Sequence, residues 1–252
     1  MEAQLCRFAA EGYREIVLTG IHLASYGRDL GCCDLLDVLA LTTRIDGIER
    51  VRLGSLEPKF ADERFVRAAA DNPKLCRQFH LSLQSGSDAV LARMRRRYTA
   101  AEFAHAVELI RTAMPDCAIT TDVITGFPGE TEAEHRDSMA FVEAMQFARV
   151  HVFPFSVRPG TAAAGMAGQL SRAVKEARAK ECIALSKRMT DVFLHAQIGT
   201  VQAVLVEENG CGYTGNYVRV RVEGNPPLGG VVNVRITDIQ NETALGKELT
   251  IT

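Results

Sequence analysis

Five short stretches of the 252-residue sequence end in residues that can contact a polar ligand. Each begins as a run of β-branched and apolar residues and finishes with glycine or polar side chains. The ends are Thr19-Gly20-Ile21-His22, Ser55-Leu56-Glu57-Pro58, Gln84-Ser85-Gly86-Ser87, Thr125-Gly126-Phe127-Pro128-Gly129-Glu130 and Phe153-Pro154-Phe155-Ser156. Glycine lets a ligand approach the backbone, and a helix that starts just after it offers unpaired N–H groups.

The chemistry that these ends suggest is cofactor binding rather than acid–base or nucleophilic catalysis. The sequence contains no P-loop, no nucleophile elbow and no Cys-x-x-Cys pair, so hydrolase and kinase functions lack support. A rim without an acid–base pair suits a cofactor that brings its own reactivity. Each element alone has a plainer interpretation: a strand-to-helix turn for Gly-Phe-Pro-Gly, a satisfied core amide for Gln84, and a local hydrogen bond for His22.

The elements that must position this rim alternate between strands and helices over the first 156 residues. REIVLTG, RVRLGSLE, QFHLSLQS, AITTDVITG and RVHVFPFS read as strands, and amphipathic segments separate them. Thr99 with Glu102 and Thr131 with Glu134 predict capping boxes at two helix starts. The alternation predicts an α/β fold with parallel strands, either an open doubly wound sheet or a barrel or part of one. In both cases the ligand lies at the carboxyl ends of the strands.

The last third of the sequence changes pattern twice. Residues 171–196 predict one long charged helix that connects two units. Three alternating segments follow, VQAVLVEE, YVRVRVEG and VVNVRITDI, and Gly, Asn and Pro turns separate them. They predict a small all-β unit, a compact barrel.

Composition narrows the partners and the compartment. The net charge of −2 comes from 29 basic and 31 acidic residues, so any RNA contact must come from local patches. The 7 cysteines are scattered, which predicts free thiols rather than a disulfide framework. No apolar run is long enough to span a bilayer and no signal-peptide layout opens the sequence, so we expect a cytoplasmic protein without a membrane partner.

Five ordered motifs resemble one known family. They are LTGIHLASYG, RLGSLEP, FHLSLQSGSDAVLARMRRRYT, TTDVITGFPGET and VFPFSVRPGT. Together they are similar to the radical S-adenosylmethionine methylthiotransferases, and most similar to the MtaB type, which modifies threonylcarbamoyladenosine in tRNA. The resemblance implies an α/β fold with a partial (β/α) barrel of the radical SAM type that lacks its first strand. It assigns the barrel to residues 1–168, a connector helix to 169–197 and a TRAM-like RNA-binding β-barrel to 198–252.

The resemblance also implies which residues bind S-adenosylmethionine. The matching positions are Gly20, His22, Ser55, Glu57, Gln84, Ser85, Arg96, Gly126, Phe127, Gly129, Glu130 and Phe153. GFPGE resembles the motif that runs along the adenine, and Ser55 and Glu57 match the segment that faces the methionine end. Arg96 matches an arginine that pairs with the cofactor carboxylate, as a forked guanidinium can. Arg93 and Arg95 are interpreted as a solvated basic face.

The sequence departs from the family pattern in its cysteines. Such enzymes hold a 4Fe-4S cluster with the spacing Cys-x3-Cys-x2-Cys, and that spacing occurs nowhere here. We therefore expect this chain to be the C-terminal part of a methylthiotransferase, inactive alone, with no metal ligands and no assigned catalytic residue. Stable cluster absorbance and 5′-deoxyadenosine formation after anaerobic reconstitution would contradict that expectation.

The partner implied for the β unit is tRNA, with sulfur and electron donors for the full-length enzyme. Its candidate RNA-binding residues are Tyr213, Tyr217, Arg219, Arg221 and Arg235, since tyrosines stack on bases and arginines meet phosphates. The plainer alternative is a solvated strand face. Alternative functions are methylthio transfer to isopentenyladenosine in tRNA or to a ribosomal protein, or a cluster-free tRNA-binding module. The oligomeric state is not predicted.

Overall fold

The fold was determined as a computed structural model, which describes residues 1–249. The helices are α1 (Glu2–Ala10), α2 (Leu35–Thr42), α3 (Glu63–Asp71), α4 (Asp88–Arg93), α5 (Ala100–Ala113), α6 (Glu132–Met145) and α7 (Arg172–His195). The strands are β1 (Glu15–Leu18), β2 (Arg50–Leu53), β3 (Gln78–His80), β4 (Ala118–Thr125), β5 (Arg149–Pro154), β6 (Val201–Val206), β7 (Cys211–Thr214), β8 (Arg219–Glu223), β9 (Val231–Gln240) and β10 (Thr243–Glu248). Residues 250–252 of the predicted β unit lie outside the described residues.

The first five strands run parallel and follow one another in chain order. β1 pairs with β2, and β3, β4 and β5 pair in that order. The isolated bridges Val51–Leu75 and Leu56–Leu81 join the two sheets. A doubly wound sheet reverses its strand order at a switch point, whereas a barrel keeps chain order. The order therefore confirms the partial (β/α) barrel and excludes the doubly wound alternative.

Helices cover one face of this sheet and bury its apolar residues. Phe79 on β3 meets Phe65 of α3 edge to face, with the ring centroids 5.7 Å apart. Phe103 of α5 contacts Phe147 just before β5, at 5.9 Å. Both predicted capping boxes are present, at the starts of α5 and α6. The core thus lies between the helices and the sheet, and the other face of the sheet carries mainly polar side chains.

Helix α7 closes the free edge of the sheet. Its apolar residues Cys182, Leu185 and Met189 join the main core. Ser186 Oγ accepts from Val150 N–H at 3.0 Å and also donates to the Val150 carbonyl at 3.2 Å. Thr190 Oγ1 donates to the Ala148 carbonyl at 2.8 Å. Side-chain hydroxyls of the helix therefore satisfy backbone groups of β5 that would otherwise be unpaired at a sheet edge.

The C-terminal region forms a closed barrel of five strands in the order β10-β8-β7-β6-β9. The three predicted strands correspond to β6, β8 and β9, and the sequence pattern missed β7 and β10. Both missed strands contain a glycine where a side chain would collide: Gly212 against the Leu205 carbonyl and Gly246 against Val234. Glycine at these positions lets neighbouring strands of the barrel pack closely. It also interrupts the alternation of apolar and polar side chains by which strands are predicted. The domain boundaries drawn from the sequence stay predictions.

None of the helices within residues 1–249 combines the length and apolar content that a bilayer span requires.

Candidate functional site

The carboxyl ends of β1 and β2 bring two predicted residues into contact. His22 Nε2 lies 3.1 Å from Glu57 Oε1, and both side chains are partly open to solvent. Gly20 and Ser55 are also exposed at these two strand ends. These four residues form one accessible part of the predicted rim, and the His22–Glu57 pair offers one carboxylate to a cationic ligand group.

Gln84, at the end of the β3 segment, is held in an unusual backbone conformation. Its φ of 67° is left-handed, which costs a non-glycine residue about 1 to 2 kcal/mol. Gln84 N–H donates to the Asp122 carbonyl at 2.8 Å, and its own carbonyl accepts from Ile124 N–H at 2.9 Å. The residue is only 9% exposed, yet its side-chain amide makes no hydrogen bond within residues 1–249. The amide atoms are not among the fully buried unpartnered ones, so the amide keeps some access to solvent, and an accessible amide without a protein partner fits a ligand contact.

The predicted adenine motif, GFPGE, is built into the packing around α7. Glu130 is buried, and its Oε1 accepts from Gly126 N–H at 2.9 Å and from Arg178 Nη1 at 2.7 Å. Gly126 has a φ of 73°, and a Cβ there would come 2.5 Å from Cγ of Lys175. Glu130 and Gly126 therefore fix the turn against α7, with the carboxylate already occupied by protein donors.

Four other predicted residues differ in how accessible they are. Gly129 N–H donates to the Gly168 carbonyl at 2.9 Å, and the buried Phe127 ring lies 5.2 Å from Phe155. Ser85 is buried and accepts from Ser87 N–H at 3.2 Å. Phe153 instead lies exposed on β5. Of these, only the Phe153 ring is open to a ligand.

The arginines at the end of α4 and just after it differ from the prediction in which of them has a protein partner. Arg93 is not part of a solvated basic face: its guanidinium makes two bonds to Glu134, at 2.9 and 2.6 Å. The hydrogen bond from Arg93 lowers the pKa of Glu134 to about 2. Arg96 is exposed, with no side-chain hydrogen bond or ion pair within residues 1–249. Arg96 is therefore free to meet an anionic group, as predicted for the cofactor carboxylate.

A chain of polar side chains crosses the helix-free face of the sheet, and sequence reasoning missed it. Arg52 contacts Gln78 at 3.4 Å, Gln78 donates to Thr120 at 3.2 Å, and Thr120 lies 3.0 Å from His80 Nδ1. His80 Nε2 then lies 3.2 Å from Asp122. Burial raises the pKa of Asp122, but the hydrogen bond and charge of His80 outweigh it and hold that pKa below its usual value.

The signal for this chain was present in β3 and the residues after it. Gln78, His80, Ser82 and Gln84 alternate with apolar residues, whereas a parallel strand covered on both faces is continuously apolar. The alternation indicates that one face of the sheet lines an accessible polar lumen.

The amino ends of the strands are closed by the C-terminal barrel. Arg50 donates to the carbonyls of Tyr213 at 2.8 Å and Thr214 at 2.9 Å. Arg52 donates to Thr214 and Gly215 carbonyls, each at 3.2 Å. Glu15 neutralises both arginines, at 2.7 and 3.1 Å. This arginine clamp, defined as Glu15, Arg50 and Arg52, fixes the barrel to the bottom of the sheet.

The predicted RNA-binding residues fall into two groups. The Tyr213 and Tyr217 rings stack on each other at 4.9 Å, and the Arg52 guanidinium lies 4.5 Å from the Tyr217 centroid. The tyrosines therefore lie at the seam between sheet and barrel. Arg219, Arg221 and Arg235 are exposed on the outer face of the barrel, while their valine neighbours fill its core.

Within residues 1–249, no three His, Cys, Asp or Glu side chains are grouped so that they could hold a metal ion. Cys76, Cys117, Cys182 and Cys211 are buried apart from one another, and burial raises the pKa of the Cys117 and Cys182 thiols to about 12. The described residues therefore fit neither a metal ion nor a cysteine-bound cluster.

A partial (β/α) barrel with a polar lumen is an architecture found in enzymes, whose sites lie at the carboxyl ends of the strands. Residues 2–142 match the sequence profile of the Radical SAM superfamily, and the chain belongs to that superfamily. The fold agrees with this assignment. Coproporphyrinogen III oxidase (HemN) from Escherichia coli, described as a radical SAM enzyme, aligns with a TM-score of 0.60 over 94% of this chain and 58% of its own, at 11% identity.

Curated proteins similar to this chain include tRNA methylthiotransferases, which confirms the resemblance carried by the motifs. Threonylcarbamoyladenosine tRNA methylthiotransferase MtaB of Thermotoga maritima is 38% identical over 95% of this chain and 56% of its own length. tRNA-2-methylthio-N(6)-dimethylallyladenosine synthase of Frankia casuarinae is 44% identical over 82% of this chain and 38% of its own. The corresponding synthase of Pelotomaculum thermopropionicum is 36% identical over 93% and 54%. The chain thus spans about half the length of the curated relatives it matches.

Proposed function

We propose that this chain is the cofactor- and RNA-binding part of a tRNA methylthiotransferase that acts on N6-threonylcarbamoyladenosine. The observation that carries the proposal is the 38% identity over 95% of the chain to the Thermotoga maritima methylthiotransferase. The motifs SLEP and LTGIHL favour the threonylcarbamoyl substrate. The 44% identity to a dimethylallyladenosine synthase supports the second candidate, methylthio transfer to isopentenyladenosine.

S-adenosylmethionine is the cofactor we assign to the rim. The accessible groups fit its parts: Glu57 can accept from its ammonium group and Arg96 can pair with its carboxylate. The unpartnered Gln84 amide can hydrogen-bond its polar atoms, and the exposed Phe153 ring offers an apolar wall. When bound, S-adenosylmethionine supplies the sulfonium-linked groups on which radical chemistry depends. His22 positions Glu57, since the two side chains are in contact.

Glu130, Gly126, Gly129, Phe127 and Ser85 are proposed as positioning residues rather than direct contacts. Their polar atoms are occupied by other parts of the fold, so they hold the turn after β4 and the segment after β3 in shape. Residues 1–249 offer no ligand set for an iron–sulfur cluster, so the role proposed for this chain is limited to binding the cofactor and the RNA.

Binding of S-adenosylmethionine to this chain, measured by isothermal titration calorimetry, tests the rim. We expect Gln84→Ala and Glu57→Gln each to weaken binding about tenfold, the effect of losing one hydrogen bond to a charged or buried polar group. Gln146→Ala is the matched control, because Gln146 is also a left-handed glutamine but ends α6 away from the rim. Equal affinities of Gln84→Ala, Glu57→Gln and the control would refute the assignment.

The substrate is tested by comparing RNA hairpins that carry threonylcarbamoyladenosine, isopentenyladenosine or unmodified adenosine at one loop position. Tighter binding of the threonylcarbamoyl hairpin supports the first candidate, and tighter binding of the isopentenyl hairpin supports the second. Absence of any RNA binding would remove tRNA as the partner of this chain.

A further inference from the structure

A cavity of about 420 Å³ lies where the polar face of the sheet meets the C-terminal barrel. Its walls include His80 and His151 from the sheet and Tyr213, Tyr217 and Arg219 from the barrel. None of the predicted rim residues lines this cavity, which we call the seam cavity. It is therefore separate from the proposed cofactor site. Cavities of a few hundred Å³ between two packed units are typical places for a ligand.

Most polar groups in the cavity wall are satisfied by the protein itself. Asn216 donates to Gln197 at 3.0 Å, and Arg149 pairs with Glu242 at 2.7 Å. Gln78 and His80 belong to the polar chain of the sheet. These residues build the wall, and their partners leave them little capacity for a ligand.

Two groups on opposite walls lack such partners. The His151 ring makes no hydrogen bond or ion pair within residues 1–249. Partial desolvation and the neighbouring His80, whose ring centroid lies 5.8 Å away, lower the pKa of His151. A neutral imidazole offers one donor and one acceptor. The Arg219 guanidinium likewise has neither a hydrogen bond nor an ion pair among the described residues. The stacked pair Tyr213–Tyr217 adds an aromatic surface to the same cavity.

We propose that the seam cavity receives one unstacked nucleotide of an RNA substrate. The base lies against the Tyr213 ring and the edge of His151, because Tyr213 and Arg52 already cover the two faces of Tyr217, and its phosphate meets Arg219. Protein sites for single-stranded RNA combine these same elements, an aromatic platform, a base-edge partner and a cation for the backbone. The proposal rests on the proposed function, since it takes RNA to be the partner.

A nucleotide within an RNA chain fits better than a free nucleotide because the cationic surface continues beyond the cavity. Arg221 lies two residues along β8 on the same exposed face, about 7 Å away by strand geometry. It too has no ion pair within residues 1–249. Because Arg221 does not line the cavity, a nucleotide held there leaves this second guanidinium to the next phosphate of an RNA chain.

The test measures binding of a fluorescein-labelled RNA hairpin with an adenosine-containing loop to the full chain, by fluorescence anisotropy. Arg219→Gln removes the cation, and Thr243→Trp fills the cavity without changing charge, since Thr243 lines it. We expect each to weaken binding about tenfold, as the loss of one base stack typically does. Lys247→Gln is the matched control: Lys247 is an exposed cation on the same barrel but does not line the cavity, so less than about a twofold loss is expected.

His151→Ala, at an exposed position on β5, gives a second test that does not depend on the barrel tolerating a tryptophan. The inference is overturned if His151→Ala and Thr243→Trp bind as the unaltered chain does, or if Arg219→Gln matches Lys247→Gln. Adenosine monophosphate binding as tightly as the hairpin would also overturn it, since the site would then be one for free nucleotides. Binding of S-adenosylmethionine without any RNA binding would disprove the RNA partner and this inference, but leave the rim assignment standing.

Discussion

The two ends of the parallel sheet treat their polar residues in opposite ways. At the amino ends, Arg50 and Arg52 are buried, and their hydrogen bonds go to Glu15, Gln78 and barrel carbonyls. At the carboxyl ends, the Gln84 amide and the Arg96 guanidinium have no side-chain partner within residues 1–249. The partnered groups at the amino ends hold the two units together, whereas the unpartnered groups at the carboxyl ends are the ones we propose to contact a ligand.

The turn after β4 lies at the carboxyl ends of the strands, yet its buried polar groups have protein partners. Its buried carboxylate, Glu130, is bound by Gly126 N–H and Arg178. The difference shows that position at a strand end does not by itself make a residue a ligand contact. The partners already present decide it.

The largest expected effect comes from breaking the arginine clamp. Arg50→Ala leaves Glu15 with one cation and removes donors from barrel carbonyls, so we expect a loss of about 3 kcal/mol in the free energy of unfolding. Urea denaturation followed by circular dichroism measures it. Arg64→Ala is the control, since Arg64 pairs with Asp34 at an exposed position and should cost less than about 1 kcal/mol. Equal losses would mean that the clamp contributes no more than a surface ion pair.

The turn after β4 is tested by Gly126→Ala. A left-handed alanine that also collides with Lys175 is expected to cost about 2 to 3 kcal/mol of unfolding free energy. Gly160→Ala isolates the packing part: its φ is 82°, but nothing lies within 4 Å of the added Cβ, so about 1 kcal/mol is expected. If thermal denaturation gives the same loss for both variants, α7 does not pack closely on the turn.

The Arg93–Glu134 pair gives a pH-dependent effect. Because the pKa of Glu134 falls from 4.5 to about 2 on folding, its contribution is present above pH 4.5 and is lost as the pH drops through about 2. Arg93→Met is expected to cost about 1 to 2 kcal/mol at neutral pH, since water screens part of the interaction. The difference from the unaltered chain should shrink in denaturation curves between pH 5 and pH 2; a constant difference would contradict the assignment.

The smallest expected effect separates stability from binding at the rim. Gln84→Gly removes the left-handed strain and is expected to stabilise the fold by up to about 1 kcal/mol, while weakening S-adenosylmethionine binding. Gln146→Gly should stabilise by a similar amount without changing binding, because Gln146 has a φ of 46° at the end of α6. A stability gain accompanied by unchanged cofactor affinity at Gln84 would show that its strain serves no ligand.

Local signals predicted the strands, whereas the barrel order came only from the family resemblance, and the site was predicted only in part. Each of the five predicted strand runs contains the corresponding strand, because β-branched runs and capping residues act over a few positions. The arginine clamp could not be predicted, since Arg50 meets carbonyls more than 150 residues further along the chain. Likewise, some rim residues have their polar atoms paired with α7 or the residues just before it. This pairing depends on how residues 168–178 fold back over the turn. Those contacts are set by tertiary packing and leave no periodic mark in the sequence.

Ser186 and Thr190 pair with the edge of a strand that is synthesised before them. β5 is synthesised more than thirty residues before Ser186, and until α7 arrives its outer backbone groups have no partner. An uncovered strand edge on a nascent chain can pair with another chain, and α7 removes that edge when it docks. Because α7 leads directly into β6, the helix that protects the sheet is also the last element to be completed before the barrel begins to form.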